Sequence, residues 1–191
     1  MIIGITGKIA AGKETLTNFF KEKGFGYHTL SEILREDMKK KNLEMSRASL
    51  QDYGDMLRNK EGPGVLMKIF LSKIDRNKDY IIDGIRNPGE VEELKKYSNV
   101  FLIGVDAPQK IRFDRVLKRG KETDPKTWED FLEVDNRDFC DPSNPLGQQV
   151  GKCMEMADFV IVNDGDLESS IRKIEELWEK MKSRDFWTKN I

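Results

Sequence analysis

The sequence predicts an α/β fold with a mostly parallel β-sheet, and the patterning of its apolar residues carries that prediction. Short apolar runs alternate along the chain with segments whose apolar residues recur at helical spacing. Alternation of this kind is typical of parallel strands that are connected by crossover helices. A chain of 191 residues also fits a single domain with a substantial hydrophobic core.

Five apolar runs are predicted to form strands: 2–5, 25–29, 80–83, 100–105 and 159–162. Helical patterns lie between and after them: 13–23, 30–41, 47–59, 65–74, 88–96, 108–119, 127–134 and 167–182. Two helices have clear start signals, since Thr29 and Glu32 form a capping-box pattern and Asn87 precedes Pro88. The polar stretch 120–147 is longer than an ordinary connection, as a lid or a binding loop often is. The tail 183–191 is expected to fray.

The composition disfavours several classes of protein. There are 33 basic and 34 acidic residues, and the net charge of −1 provides no electrostatic footprint for nucleic-acid binding. No apolar run approaches the roughly 18 residues of a membrane span, and residues 1–6 do not resemble a signal peptide. We therefore expect a cytoplasmic protein without a membrane or nucleic-acid partner. The chain has one histidine and two cysteines, and the cysteines form no C-x-x-C pair, which disfavours a zinc site. A Ser-His-Asp hydrolase is also disfavoured, because its base would have to be the single histidine, His28.

A phosphate-binding loop is the strongest motif in the sequence. Residues 7–13 read Gly-Lys-Ile-Ala-Ala-Gly-Lys, which is the G-x-x-x-x-G-K pattern between a predicted strand and a predicted helix. The glycines allow backbone N–H groups to turn inward around phosphate oxygens, and the helix N-terminus adds partial positive charge. Lys13 supplies a full charge at the β- and γ-phosphates. The predicted ATP-binding residues of this segment are Gly7, Lys8, Ala10, Ala11, Gly12, Lys13, Glu14 and Thr15.

The residue after the loop lysine departs from the usual pattern. A Ser or Thr commonly stands there and contacts Mg²⁺, whereas this chain has Glu14 followed by Thr15. Two interpretations stay open: the carboxylate stabilises the helix N-terminus by about 0.3–1 kcal/mol, or it changes the Mg²⁺ shell. Asp83 ends the strand 80–83, where a carboxylate would face the same ion. Asp83 and Glu14 are therefore the candidate Mg²⁺ ligands.

Arginines at the ends of predicted strands and helices favour phosphoryl transfer over hydrolysis. Asp83 is followed by Gly84 and not by the glutamate that motor-type ATPases commonly place there, and no N-K-x-D guanine motif is present. Catalysis of phosphoryl transfer is mostly positioning and charge neutralisation, for which guanidinium groups are well suited. Arginines follow the second, third and fourth strands or lie in the long polar stretch: Arg35, Arg86, Arg115, Arg119 and Arg137. The carboxyl ends of strands are where α/β folds bind ligands.

With these motifs the chain resembles the nucleoside monophosphate kinase-like group of P-loop kinases, which includes adenylate kinase. It is also similar to archaeal adenylate kinase-related proteins, to kinase-like segments of some deoxycytidylate deaminases and to dephospho-CoA kinases. The resemblance covers residues 1 to about 182. It implies a three-layer P-loop kinase fold with a five-stranded parallel sheet in the order 2-3-1-4-5. It further implies one kinase domain, 1–182, with an acceptor-binding helical segment at about 29–75, a lid at about 120–147 and a tail at 183–191.

The resemblance also assigns roles to residues. The segment 29–35 resembles the part of these kinases that holds the acceptor monophosphate, which implies acceptor contacts by Thr29, Ser31, Arg35 and also Arg86. Residues 83–86 resemble the Asp-Gly-x-x-Arg region that serves Mg²⁺ and the acceptor phosphate. Further donor-site residues are implied by the Arg-x-x-x-Arg that opens the lid and by the turn near the adenine: Arg115, Arg119, Asn163 and Gly165. The implied catalytic residues are Lys13, Arg86, Arg119 and Arg137.

The segment after the second strand indicates the kind of acceptor. Dephospho-CoA kinases phosphorylate a sugar hydroxyl, which benefits from a carboxylate base, and typically carry an Asp pair there. Residues 28–32 read His-Thr-Leu-Ser-Glu and lack that pair. A phosphate acceptor is already anionic and needs arginines, so the sequence favours transfer from ATP, with Mg²⁺, to a nucleoside or deoxynucleoside monophosphate. Glu32 keeps the hydroxyl acceptor open as an alternative, a nucleotide-binding switch without turnover is another, and the oligomeric state is left open.

Overall fold

The computed structural model of the chain describes residues 1–45, 47–120, 124–140, 144 and 146–183. Within them a five-stranded parallel sheet has the order β2-β3-β1-β4-β5, which confirms the predicted topology. The strands are β1 (Ile2–Gly7), β2 (Gly26–Thr29), β3 (Tyr80–Asp83), β4 (Val100–Asp106) and β5 (Phe159–Val162). The helices are α1 (Lys13–Glu22), α2 (Leu30–Lys40), α3 (Arg47–Glu61), α4 (Val65–Lys73), α5 (Pro88–Leu94), α6 (Gln109–Arg119), α7 (Trp128–Phe139), α8 (Val150–Glu155) and α9 (Leu167–Lys182).

Helices cover both faces of the sheet because its strands are apolar on both sides. On one face α1 and α9 bury Phe20 and Leu177 against Ile3 and Ile5 of β1. On the other face, α2, α3, α4, α5 and α8 enclose a second core cluster. The arrangement is the predicted three-layer fold. Burial of these side chains is its main stabilising contribution.

Both predicted helix starts are confirmed. Thr29 caps α2: its hydroxyl accepts a hydrogen bond from the Glu32 N–H, while the Glu32 carboxylate accepts from the Thr29 N–H. Asn87 caps α5 in the same reciprocal way, with Pro88 in the first turn. In the sheet register Thr29 lies opposite Asp83. The ends of β2 and β3 therefore bring these two residues together at the carboxyl edge.

The predicted lid contains more helix than the sequence indicated. The predicted helix 127–134 was too short, because α7 continues to Phe139 after Thr127 caps its first turn. The short helix α8, which follows the predicted lid, was missed. It has only six residues, and one of them is Gly151, whose missing Cβ lets Phe139 pack closely: a Cβ there would lie 2.7 Å from the Phe139 ring. Lid residues 121–123, 141–143 and 145, and the tail beyond residue 183, lie outside the described residues.

The remaining element bounds agree with the predicted ones within a few residues. No helix in the described part of the chain combines the length and the apolarity that crossing a bilayer requires.

Candidate active site

The phosphate loop connects β1 to α1 and has the backbone of an anion-binding turn. Ala10 has φ 55° and Gly12 has φ 95°, so left-handed residues turn successive N–H groups toward the inside of the loop. Gly12 is the N-cap of α1, and among the described residues no side chain caps that N-terminus. The first N–H groups of α1 thus remain available for an anion. Glu14 and Thr15 lie in this first turn.

Lys13 folds over the loop. Its ammonium donates to the carbonyl oxygens of Gly7 and Lys8, each at 3.0 Å. Burial lowers its pKa to about 8, against the opposing effect of the Asp83 carboxylate.

Three further charged side chains act on the Lys13 pKa. Arg86 and Arg119 lower it, and Asp138 raises it. The predicted site residues Asp83, Arg86 and Arg119 thus all act electrostatically on Lys13. Asp138 from the last turn of α7, which the sequence did not indicate, acts on it as well. A phosphate bound by the loop would lie among these charges.

The carboxylates near the loop fit a nucleotide-bound Mg²⁺. Asp83 accepts from the Gly84 N–H at 2.6 Å, and its carboxylate acts on the Tyr27 hydroxyl. Burial, followed by the Asp83, Glu32 and Glu14 carboxylates, raises the pKa of Tyr27 to about 12, so Glu14 acts on the same region as Asp83. The described residues contain no group of three or more His, Cys, Asp or Glu side chains able to hold a metal by themselves. Mg²⁺ with a nucleotide usually takes one or two carboxylates plus phosphate oxygens, and Asp83 with Glu14 meets that need.

The predicted catalytic arginines differ in their partners. Arg86 donates to the Gln148 side-chain oxygen at 3.1 Å. Arg119 makes a bidentate contact with the buried Asp124, at 2.6 and 2.7 Å. Arg137 is exposed on α7, and the neighbouring Asp138 is the residue of that turn that acts on Lys13. Two of the three predicted arginines, Arg86 and Arg119, thus act on the charge of the loop lysine.

Two predicted donor-site residues clamp the loop. Arg115 donates to the Ala11 carbonyl at 3.4 Å and to the Asn163 side-chain oxygen at 3.1 Å. The Asn163 amide donates to the same Ala11 carbonyl at 3.2 Å, and its oxygen accepts from Ser170 at 2.6 Å. A Cβ at Gly12 would lie 2.0 Å from the Asn163 amide nitrogen, so the close approach requires glycine. In the described residues Arg115 and Asn163 shape the loop; Gly165 lies in the turn before α9.

A buried ion pair behind the loop was missed at the sequence level. Arg112 is 2% exposed; it contacts the Asp135 carboxylate at 2.5 and 2.8 Å and the Ile9 carbonyl at 3.3 Å. It thereby joins the phosphate loop to α7. One signal could have found the pair: Arg112 lies four residues before the buried Val116, and Asp135 four residues after the buried Phe131. That spacing puts each charge on the apolar face of its helix.

The predicted acceptor residues form a row at the carboxyl edge of the sheet. The hydroxyls of Thr29 and Ser31 are 3.0 Å apart, and Arg35 donates to Ser31 at 3.2 Å. Arg35 is exposed, whereas Thr29 and Ser31 are partly buried. The row begins beside Asp83, to which Thr29 is paired in the sheet. The trio is thus assembled next to the charges around Lys13.

A phosphate loop at the first β–α turn of a 2-3-1-4-5 parallel sheet, with arginines beside the loop lysine, defines a P-loop protein of the kinase-like class. A family model described as an AAA domain matches residues 3–138. A UPF0200 protein of Sulfurisphaera tokodaii is 35% identical over 180 residues, covering 94% of this chain and 97% of that protein. One of Pyrococcus horikoshii is 30% identical over 190 residues, covering 96% and 98%. The chain belongs to this AAA-domain family and to the UPF0200 proteins.

Solved structures show the same fold at low sequence identity. TT1252 from Thermus thermophilus superposes with a TM-score of 0.62 at 19% identity, covering 96% of this chain and 98% of that one. Shikimate kinase from Acinetobacter baumannii, in complex with shikimate, gives 0.56 at 17% identity, with 96% and 95% covered. A gluconokinase from Sinorhizobium meliloti gives 0.58 at 6% identity, with 99% and 97% covered. The fold of this chain is therefore that of the P-loop kinases.

Proposed function

We propose that the protein transfers the γ-phosphoryl group of ATP to a nucleoside or deoxynucleoside monophosphate. The observation that carries the proposal is the row Thr29–Ser31–Arg35, which begins beside Asp83 at the same sheet edge as the phosphate loop and its Lys13. Arg86 and Arg119 act on the charge of Lys13 as well. Several cations acting in one region suit two phosphate groups that meet there, because transfer between two anions requires their charge to be neutralised.

The reaction balances without a proton acceptor. A phosphate oxygen of the acceptor attacks the γ-phosphorus, and the bond to the β,γ-bridging oxygen breaks, so that ADP leaves with the electron pair. Lys13, Arg86 and Arg119 stabilise the charge that spreads over the transferring group. Mg²⁺, when bound with ATP by Asp83 and Glu14, would supply further neutralisation at the β- and γ-phosphates.

The row Thr29–Ser31–Arg35 supports a phosphate acceptor. Two hydroxyls and a guanidinium are donors that recognise an anionic group, and the exposed guanidinium of Arg35 offers a bidentate contact. Glu32 is a poor base in this place, because its carboxylate is occupied in capping α2. The structure thus provides more for binding an anion after β2 than for removing a proton.

A hydroxyl acceptor is the second candidate, and one observation favours it. Fold neighbours include a shikimate kinase and a gluconokinase, whose named substrates offer hydroxyl groups. Asp83 would be the carboxylate placed to take the hydroxyl proton, since it lies beside Lys13.

A phosphotransfer screen distinguishes these functions. The protein with Mg-ATP is incubated with each ribo- and deoxyribonucleoside monophosphate, and with dephospho-CoA, shikimate and gluconate, and the products are followed by ³¹P NMR. We expect one group of monophosphates to yield diphosphates, and Lys13→Ala to abolish the signal. Transfer only to a hydroxyl acceptor would select the second candidate, and tight ATP binding without any transfer would indicate a switch.

A further inference from the structure

A buried ion pair joins helix α3 to the turn that carries Arg86. Glu90 of α5 is fully buried, and one of its oxygens accepts from the N–H groups of Arg86, at 2.9 Å, and Asn87, at 3.1 Å. Its other oxygen accepts from a terminal nitrogen of Arg58, at 2.9 Å. The capping of α5 explains the bond from Asn87. The hydrogen bonds from Arg86 and Arg58 are not part of that cap: they connect α5 to the turn after β3 and to α3.

Arg58 is buried at the cost of incomplete pairing. It is 8% exposed and also contacts Asp55 at 3.1 Å, yet its Nε finds no hydrogen-bond partner among the residues that the structure describes. Buried ion pairs add little stability over a well-packed apolar pair, and an unpartnered buried nitrogen adds a desolvation cost. The pair is therefore better explained by the geometry it fixes than by stability.

Further hydrogen bonds connect Asp55 and Arg86 to the segment that follows α7. The second oxygen of Asp55 accepts from Asn144 at 2.9 Å. Arg86 donates from its side chain to Gln148 at 3.1 Å, and its carbonyl accepts from the Gln149 N–H at 2.7 Å. Arg86 is thus held at its N–H by Glu90, at its carbonyl by Gln149 and at its guanidinium by Gln148.

We propose that Glu90 and Arg58 are positioning residues that set Arg86 against the transferring phosphate and make its placement depend on α3. The proposal rests on the proposed function, in which Arg86 touches the phosphates. Helix α3 lies within the predicted acceptor segment, so an acceptor that moves α3 would move Arg58, and through Glu90 the backbone of Arg86. Arg86 is then aligned when the acceptor is in place.

A kinetic series tests the catalytic part of the proposal. In Glu90→Gln one carboxylate oxygen is replaced by an NH2 group, which cannot accept a hydrogen bond. That group faces either Arg58 or the N–H groups of Arg86 and Asn87, so the hydrogen bonds on that side are lost. We expect kcat to fall about 10- to 100-fold, with a smaller rise in the acceptor KM, since Arg86 is expected to affect both parameters. Glu92→Gln, which changes an exposed residue of the same helix, should leave kcat unchanged.

Combining variants separates positioning from general damage. Because Glu90 acts through Arg86, Glu90→Gln should cause no further loss of kcat in an Arg86→Ala background. An equal loss in both backgrounds would overturn the proposal. Arg58→Met should behave as Glu90→Gln does, and Arg58→Lys, which keeps a cation for Glu90, should recover most of the rate.

Hydrogen exchange at the Arg86 amide provides a readout that needs no turnover. NMR of the ligand-free protein should show a protected Arg86 N–H, with exchange at least about tenfold faster in Glu90→Gln and Arg58→Met. Arg58→Lys and Glu92→Gln should retain the protection. Unchanged protection in Glu90→Gln and Arg58→Met would overturn the positioning role, even if the phosphotransfer screen finds no acceptor and the proposed function itself fails.

Discussion

The proposed donor and acceptor sides of the site differ in how many of their polar groups the protein itself hydrogen-bonds. On the donor side, side chains hold the carbonyls of the phosphate loop: Lys13 on Gly7 and Lys8, Arg112 on Ile9, Arg115 and Asn163 on Ala11. On the acceptor side, Arg35 is exposed and its guanidinium donates to the Ser31 hydroxyl. The protein itself thus occupies the carbonyls of the loop, whereas the guanidinium of Arg35 stays exposed to solvent.

The reason for the difference is conformational. The phosphate loop contains a non-glycine residue in the left-handed region, Ala10, and such backbone persists only when its surroundings determine it. The acceptor row stands on a regular helix start that Thr29 caps. It needs no additional support to keep its shape. Substitutions on the donor side should therefore affect stability and catalysis, and those on the acceptor side mainly binding.

The largest expected effect tests this contrast in stability. Asp135→Ala leaves the buried Arg112 without its carboxylate and should lower the free energy of unfolding by about 3–5 kcal/mol. Asp37→Ala, on the acceptor-side helix α2, removes a partly exposed carboxylate that contacts Lys41 and Tyr53 and should cost far less. Urea unfolding of both variants makes the comparison. Similar losses of unfolding free energy in the two variants would contradict the inference that side chains hold the phosphate-loop side more firmly than the acceptor side.

The next largest effect concerns the rate. Lys13→Ala should lower phosphotransfer by about 10²-fold or more, because it removes the charge on the transferring phosphate. The fold should be retained, since burial disfavours the charged form of Lys13 in the ligand-free protein. Steady-state kinetics and urea unfolding test both parts, with Lys39→Ala, at an exposed residue of α2, as the control. Activity within a few-fold of the parent protein would refute the donor site.

Two arginines should separate binding from catalysis. Arg35→Ala is expected to raise the acceptor KM by about tenfold, and Arg119→Ala to lower kcat by about tenfold, if Arg119 acts on charge that develops during transfer. Arg35→Lys should rescue poorly, because an ammonium cannot make a bidentate contact. Arg86→Ala should change both parameters.

The matched control for this series is Arg76→Ala, an exposed arginine that contacts Tyr97. Each substrate is varied in turn at saturation with the other. An Arg35→Ala protein with a normal acceptor KM and weakened ATP binding would mean that the acceptor site lies on the other side of the loop.

The smallest effect is a pH dependence of ATP binding. With a pKa near 8, lowered first by burial, Lys13 is mostly charged at pH 7 and mostly neutral at pH 9 in the free protein. Since the charged form binds the phosphates, the Kd for ATP should rise about tenfold between these pH values by proton linkage. Calorimetric titration measures it, and Lys13→Arg, which stays charged, should show a nearly flat profile.

Sequence alone predicted the parts of the site that depend on short stretches of chain. The loop 7–13, the cap at Thr29 and the strands each show their pattern within a few residues, because hydrogen bonding and apolar spacing there are local. The resemblance to P-loop kinases then supplied the strand order, which the structure confirms. Helix predictions in and just after the predicted lid were the least accurate: α7 runs five residues beyond its predicted end, and α8 is too short to show a helical period.

The pairing of buried charges was decided by tertiary structure. Arg112 and Asp135 are 23 positions apart, and Arg58 and Glu90 are 32 apart, so no local pattern links them. Their meeting depends on the strand order, which brings α6 next to the phosphate loop and α3 next to the turn after β3. The same applies to Asp138, which reaches the charges around Lys13 because α7 packs back toward the loop. The sequence determined which groups the site contains; the packing of helices around the sheet determined which of them act on one another, because Coulomb interactions and hydrogen bonds depend on distance in space.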